Sequence, residues 1–297
     1  MPLPFSRSRS VVPSGLLFVA LALASWLAVP DAEAQDRSNA LPRVSPNAAV
    51  TQTIGVTKMQ IAYGRPSVRG RTIFGDLVPY GEVWRTGANE ATAISFSTPV
   101  QIEGESLDAG TYAVFTVPGP DEWTLIFNNE AEQWGAYSYN DGADALRVTV
   151  EPQDRAATEM MTFSVPQVSD STATVHLRWA GVGVPFQVST DTEANIRRLA
   201  EDAASSPSSW QQPARYAGYA LENGVLLEDA LSWVQASVET EKTFQNTTLH
   251  ARLLAANGRY DEAVTAAEDA LSMAESMDEM PRGADDLQSK LSEWENQ

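Results

Sequence analysis

The sequence contains no cysteine and only two histidines. The absence of cysteine excludes disulfides, thiol chemistry and Cys-ligated metals. The histidines, His176 and His250, are too far apart to form an i, i+4 metal-binding pair, and no Gly-x-Ser-x-Gly motif accompanies either one. A zinc site and a Ser-His-acid hydrolase triad are therefore unsupported, and we expect neither a metal nor a cofactor.

Positive charge is also scarce. The chain has 20 Lys and Arg residues against 39 Asp and Glu, and its net charge is −19. The only lysines are Lys58, Lys242 and Lys290. Such acidity argues against binding to nucleic acid or to an anionic membrane surface. Low lysine content with excess acid is typical of a salty habitat, which explains the charge without assigning it a function.

Long hydrophobic runs are missing apart from one near the N-terminus. Arg7 and Arg9 precede the apolar segment 16–29, and Ala32-Glu33-Ala34 follows it as an A-x-A cleavage site. This pattern predicts a signal peptide over residues 1–34, because the apolar run is too short for a bilayer span. We expect an exported protein, periplasmic or extracellular, with no membrane span in the mature chain.

Residues 35–47 are polar and contain prolines, which predicts a flexible N-terminal segment. Residues 48–190 read as a series of short strands with turn-forming residues between them. Alternation is clear in 146–150, and 110–117 is apolar on both faces, as in a central strand. The predicted fold is mainly β plus α: an antiparallel β-sandwich or barrel, followed by helices.

The hydrophobic period changes from two to between three and four after Thr190. Helices are predicted near 192–204, 209–222, 226–240, 243–256, 260–275 and 283–295, so that 191–297 forms an α-helical region. A turn is predicted at Ala180-Gly181 between the last two strands.

Two Asn-Gly pairs, at 223–224 and 257–258, recur at the spacing of the tetratricopeptide helix-turn-helix repeat. Residues 208–275 are similar to two degenerate copies of that repeat. A concave surface of stacked helices would contact another envelope or secreted protein. The alternative is a cap that covers the edge of the sandwich. Since two repeats fall short of the usual minimum of about three for stability, we expect the region to dock on the β domain or on a partner.

The most irregular stretch, residues 63–92, combines five glycines and two prolines with a local excess of arginine. Loops of this composition often carry function. A pocket for a small anionic or sugar ligand is one interpretation. The alternative is structural: the arginines pair with Asp76, Glu82 and Glu90 and bond to loop carbonyls. The candidate ligand-binding residues are Arg65, Arg71, Tyr80, Trp84, Arg85, Asn89 and Glu90.

Two further patterns have an ordinary interpretation beside a functional one. Asn140-Asp-Gly-Ala-Asp144 offers oxygens for calcium but lacks the twelve-residue loop with its final Glu, so a turn is expected. Tyr80 and Trp84 suit either a sugar-stacking platform or hydrophobic plugs beneath the loop, and we expect plugs.

Three segments together resemble one family. They are Gly64-Arg-Pro-Ser-Val-x-Gly-Arg-x-Ile-Phe-Gly75, Val78-Pro-Tyr-Gly-x-Val-Trp-Arg-Thr-Gly-Ala-Asn-Glu-Ala-Thr92 and Ala109-Gly-Thr-Tyr112. The β region is similar to the exported bacterial domain-of-unknown-function family 2911. The resemblance implies a secreted β-rich domain and transfers no catalytic residues.

We therefore predict an exported, non-catalytic binding or scaffolding protein that uses its helical repeats for protein contacts. The alternative is a periplasmic enzyme, or a carbohydrate- or anion-binding protein. That alternative would use Glu90 with Arg65 or Arg85 and Asn89 in a loop pocket.

Overall fold

The computed structural model describes residues 41–297. The predicted signal peptide and residues 35–40 of the predicted flexible segment lie outside this range. Ten strands come first in the described chain: β1 (Asn47–Ile54), β2 (Thr57–Gly64), β3 (Thr92–Phe96), β4 (Val100–Ile102), β5 (Glu105–Leu107), β6 (Gly110–Val117), β7 (Trp123–Asn128), β8 (Asp144–Val150), β9 (Gln153–Val168) and β10 (Thr172–Ser189).

The strands form two antiparallel sheets. One has six strands in the order β1-β2-β3-β6-β7-β8, and the other has four in the order β5-β4-β10-β9. The sheets are not closed on each other. Of the two predicted architectures the sandwich is correct and the barrel is wrong.

The core lies between the sheets and contains residues from both. Met59, Ile94 and Phe127 come from the large sheet, and Val175 and Val188 from the small one; all are at most 1% exposed. Alternation places every second side chain on this inner face. Strand β6 is flanked by β3 and β7 and is buried along most of its length, as its two apolar faces predict.

Strand β10 is continuous across the predicted turn at Ala180-Gly181, so that prediction is wrong. The pairing of β10 with β9 shifts register around Ala180, whose φ is 49°. An irregularity of this kind bends a strand without ending it, and it carries the turn-like residues that the sequence shows.

Six helices follow within the described range: α1 (Thr192–Ser205), α2 (Gln211–Asn223), α3 (Leu227–Thr240), α4 (Phe244–Ala256), α5 (Tyr260–Glu275) and α6 (Ala284–Trp294). All six predicted helices are confirmed, with ends that differ by at most two residues. Gly224, with φ 69°, ends α2 in the left-handed conformation that the Asn-Gly signal predicts. No helix among residues 41–297 has the length and apolarity needed to cross a bilayer.

The helical region docks on the β domain through α1. Val56, in the β1–β2 turn, packs against the cluster that contains Ile196 of α1. Beside it, the Thr57 hydroxyl bonds to the hydroxyls of Thr98 (2.5 Å) and Thr190 (2.9 Å), and Asn195 donates to Thr190 at 2.8 Å. All four polar side chains are buried, so their hydrogen bonds hold the junction between the two regions.

Candidate functional site

A cavity of about 460 Å³ opens beside the irregular stretch 63–92. Three arginines, Arg69, Arg71 and Arg85, are among its lining residues, and no Asp, Glu or His is. We call it the arginine cavity. In a chain with a net charge of −19, a concave surface whose charged side chains are all cationic is a local reversal of the overall charge.

Two tryptophans from different parts of the chain line the same cavity. Trp84 belongs to the irregular stretch and Trp179 to β10; their rings stack 5.8 Å apart at an angle of 18°. The indole N–H of Trp84 donates to the Gly87 carbonyl at 3.2 Å. The N–H of Trp179 is buried and has no hydrogen-bond partner within residues 41–297. A buried donor without a partner is uncommon in folded proteins.

Arg85 is the most desolvated of the cavity arginines. Its Nε is buried without a hydrogen-bond partner in the described part of the chain. Burial lowers the pKa of Arg85, and the nearby Tyr137 raises it by a smaller electrostatic effect. Because guanidinium stays charged in proteins, burial without a counter-charge is unfavourable, and an anionic ligand would offset it.

The backbone around the cavity is held in uncommon conformations. Arg69, Thr86 and Asn89 have φ values of 52°, 55° and 66°. Positive φ in a β-branched residue such as Thr86 costs about 1–3 kcal/mol and persists only where the surroundings impose it. Here Thr92 donates to the Thr86 carbonyl at 2.6 Å, and the Thr86 hydroxyl donates to Thr116 at 3.2 Å. These bonds fix the turn that carries Arg85 and Asn89.

A close backbone crossing also positions this turn. The Ala88 N–H donates to the Gly64 carbonyl at 3.2 Å, and a Cβ on Gly64 would overlap the Ala88 carbonyl oxygen. Only glycine permits this approach of β2 to the turn.

The structure places four of the seven predicted site residues on the cavity wall: Arg71, Trp84, Arg85 and Asn89. Arg71 also donates to the carbonyls of Ser67 (2.7 Å) and Val68 (3.0 Å), which orders the loop. The amide of Asn89 donates to the Ser45 carbonyl at 3.2 Å.

The other three predicted residues are not part of the wall. Arg65 donates to the Met161 carbonyl at 2.8 Å and to the Thr162 hydroxyl at 2.7 Å, which ties β2 to β9. Glu90 forms an ion pair with Arg43 at 2.7 Å, whereas the structural alternative names the arginines of the loop as its partners. Tyr80 is 46% exposed and its ring covers Gly75, so it is not a core plug, whereas Trp84 is.

The remaining candidates show ordinary roles. Residues 141–143 form a short 3-10 turn after Asn140, as expected in place of a calcium loop. The Asp144 carboxylate accepts hydrogen bonds from Asn128, Tyr139 and Arg147, each at 2.7 Å.

Residues 41–297 contain no cluster of three or more His, Asp or Glu placed to hold a metal ion. His176 lies on β10, where burial and two arginines lower its pKa.

Sequence reasoning missed Arg69 as a candidate, although it lies in the same arginine cluster. It also missed Trp179, which is about ninety positions away along the chain. The alternation of β10 marks Trp179 as inward-facing, but nothing local to it indicates that it reaches this cavity.

Residues 45–188 match the family model described as "Protein of unknown function (DUF2911)". The match spans the strands of both sheets and ends before α1, so the β domain is a domain of this family, as the sequence resemblance predicts. No curated protein and no solved structure gives a significant match to the chain.

Proposed function

We propose that this DUF2911 domain is a non-catalytic binding domain whose arginine cavity holds a small anionic ligand with a carboxylate or phosphate group. The observation that carries the proposal is the lining itself: Arg69, Arg71 and Arg85 without any acidic residue. Guanidinium groups bind carboxylate and phosphate through paired hydrogen bonds. Trp84 and Trp179 supply an apolar wall.

Binding has more support than catalysis. Glu90, the residue that an enzyme would use as acid or base, accepts hydrogen bonds from Arg43 at both carboxylate oxygens, at 2.8 and 2.7 Å. It does not line the cavity, and neither does any other carboxylate or histidine. A general acid or base has to lie within hydrogen-bond reach of the reacting group. The cavity therefore offers positive charge and shape, but no group to transfer a proton.

The test is titration of the purified chain with inorganic phosphate and with galacturonate, followed by calorimetry. Because a hydrogen bond to a charged group contributes about 1.5–3 kcal/mol, Arg85→Gln and Arg71→Gln should each weaken binding roughly tenfold or more. Arg215→Gln, which changes an exposed arginine on α2, is the matched control and should bind as the wild type does. Equal affinities for all three variants would refute the proposal.

A second binding role is proposed for the helical region, which we interpret as tetratricopeptide-like. A groove of about 770 Å³ is lined by α3, α4 and α5, including Lys242, Thr247 and Asp261. Thr247 is 2% exposed, and its hydroxyl has no hydrogen-bond partner within the described chain. An unsatisfied hydroxyl in an acidic groove favours a partner segment that brings acceptors and positive charge.

Affinity capture from cell envelope tests this second role. Asp261→Lys reverses a charge in the groove, and Glu222→Lys reverses one on the exposed face of α2 as a control. Loss of the same captured protein with the first variant alone supports the proposal. Identical partner lists for both variants and the wild type would contradict it.

We also propose that the protein acts outside the cytoplasm, in the periplasm or the extracellular space. The support is the charged, apolar and A-x-A pattern of residues 1–34. N-terminal sequencing of the protein from its native source should begin at Gln35. An N-terminus upstream of residue 16 would refute cleavage.

A further inference from the structure

Two aromatic side chains are exposed next to the arginine cavity. Trp134 is 63% exposed and Tyr137 is 86% exposed, and their rings lie 6.1 Å apart with planes at 12°. By contrast, Trp123 and Trp233 are 1% exposed. We call Trp134 and Tyr137 the aromatic pair. Large aromatic rings left in water on a folded domain mark a surface that contacts something else.

The exposure does not come from a poorly held loop. The Ala91 N–H donates to the Gln133 carbonyl, and the Gly135 N–H donates to the Asn89 carbonyl, both at 2.9 Å. The Gln133 side chain is 7% exposed and donates to the Glu130 carbonyl at 2.8 Å. Backbone pairing on both sides of Trp134 therefore presents the rings in a fixed arrangement, which lowers the entropy cost of binding.

The far end of this loop is anchored in a small hydrophobic cluster on the outer face of the large sheet. Ala136 and Tyr139 pack against that cluster, and the Tyr139 ring meets Phe115 edge to face at 5.0 Å. Tyr137, between these two anchors, points its ring over Gly135, where a Cβ would lie 2.8 Å from the ring. Glycine at 135 is thus required for the position of the Tyr137 ring.

The aromatic pair and the arginine cavity are built on the same backbone. Asn89 lines the cavity and accepts the hydrogen bond from Gly135, while Glu90 pairs with Trp134 across an antiparallel bridge. Facing residues in such a bridge have Cα atoms about 4.5–5.5 Å apart. Tyr137 also lies near enough to Arg85, on the cavity wall, to offset part of the lowering of its guanidinium pKa by burial. The backbone that forms part of the cavity wall is thus paired directly with the backbone that carries Trp134.

We propose that the ligand of this site is an acidic oligosaccharide of uronic acid units. One carboxylate lies in the arginine cavity, and a neighbouring sugar ring stacks on Trp134 and Tyr137. This inference rests on the proposed anion-binding function and names its ligand class. The C–H groups of a pyranose face suit the electron-rich face of an aromatic ring. The exposed Glu132 and Ser138 beside the pair provide partners for sugar hydroxyls.

A sugar chain fits this surface better than a protein does. A stable protein interface buries about 800 Å² on each partner around an apolar centre. Here the exposed neighbours of the aromatic pair within the loop, Glu130, Glu132, Ser138 and Asn140, are polar or charged. Two rings in a polar setting, next to cationic groups, match a ligand with an apolar ring face, many hydroxyls and a carboxylate.

The experiment compares three ligands by calorimetry on the full chain: tetragalacturonate, monomeric galacturonate and neutral maltotetraose. Trp134→Ala and Tyr137→Ala should each weaken tetragalacturonate binding roughly tenfold, by analogy with the loss of one ring from a stacking site, and leave the monomer unchanged. Tyr219→Ala, an exposed tyrosine on α2, is the matched control. Thermal melting of each variant verifies that it is folded.

The outcomes separate this inference from the proposed function. If both aromatic variants bind the tetramer as the wild type does, while Arg85→Gln weakens the monomer, the anion site stands and the oligosaccharide inference is wrong. If Arg85→Gln changes neither ligand, the anion site itself is wrong. The assignment to uronic acids is also wrong if maltotetraose binds as tightly as tetragalacturonate does, or if a sulfated oligosaccharide binds more tightly than tetragalacturonate.

Discussion

The guanidinium of Arg43 contacts both carboxylate oxygens of Glu90, at 2.8 and 2.7 Å, and so ties the segment before β1 to the turn that precedes β3. Val44 and Ser45, which follow Arg43, form part of the cavity wall. The ion pair therefore holds one side of the proposed binding site in place, in addition to neutralising Glu90.

Replacing Arg43 with alanine should loosen this wall. We expect a lower thermal midpoint and faster amide exchange at Val44 and Ser45, because the ties described there that remain are two uncharged hydrogen bonds. They run from Asn89 to the Ser45 carbonyl (3.2 Å) and from the Arg65 N–H to the Pro46 carbonyl (2.8 Å). Phosphate binding should weaken with it. Arg198→Ala removes a more exposed pair with Asp202 (3.8 Å) and should change none of these measurements.

Replacing Gly64 with alanine should destabilise the protein by about 1–3 kcal/mol, because the new methyl group overlaps the Ala88 carbonyl and forces the backbones apart. Urea denaturation measures the change. Gly218→Ala provides a control of opposite sign: nothing lies within 4 Å of that Cβ, and alanine stabilises a helix interior by about 0.5–1 kcal/mol. A neutral Gly64→Ala would show that the crossing is not tight.

Replacing Thr57 with valine should lower the free energy of unfolding by about 1–3 kcal/mol, since it leaves buried hydroxyl groups of Thr98 and Thr190 short of a partner. The same substitution at Thr240, an exposed residue near the end of α3, should have little effect. If the junction couples the two regions, β-sheet and helix signals will unfold together in the wild type and separate in Thr57→Val.

Tyr139 should ionise at a higher pH than an ordinary tyrosine does. Burial, and then its hydrogen bond to Asp144, raise its pKa from 10.0 to about 12. A raised pKa in the folded state stabilises the protein fully below pH 10, and this contribution is lost as the pH rises towards 12. Tyr139→Phe should flatten the loss of stability in that window. Absorbance titration and melts at stepped pH measure the two effects, and a titration identical in both proteins would contradict the assignment.

The regular elements were predictable because their signals are local. Helix ends coincide with capping residues such as Gly224, and the strands of the sandwich follow the alternation of their own sequence. The choice between sandwich and barrel was not predictable, because it depends on whether the edges of the two sheets join. The bend at Ala180 could not be distinguished from a turn, because the same residue types occur in bends within a strand and in turns between strands.

Part of the candidate site was predictable, because some of its residues are close together in the sequence. The arginine cluster is visible as composition, and Arg71 and Arg85 do line a cavity. Which arginine serves as a structural tie was not visible: Arg65 meets β9 almost a hundred residues later, and Glu90 pairs with Arg43 rather than with its neighbours. When the packing of distant strands determines which residues pair, the sequence around each residue does not indicate its partner.

The stacked indoles of Trp84 and Trp179 have an optical consequence. Rings 5.8 Å apart and nearly parallel are close enough to be expected to couple as a paired chromophore. Because both rings line the arginine cavity, an anion that enters it changes the field around that chromophore directly. Ultraviolet circular dichroism and intrinsic fluorescence should therefore report whether the arginine cavity is occupied, without any added label.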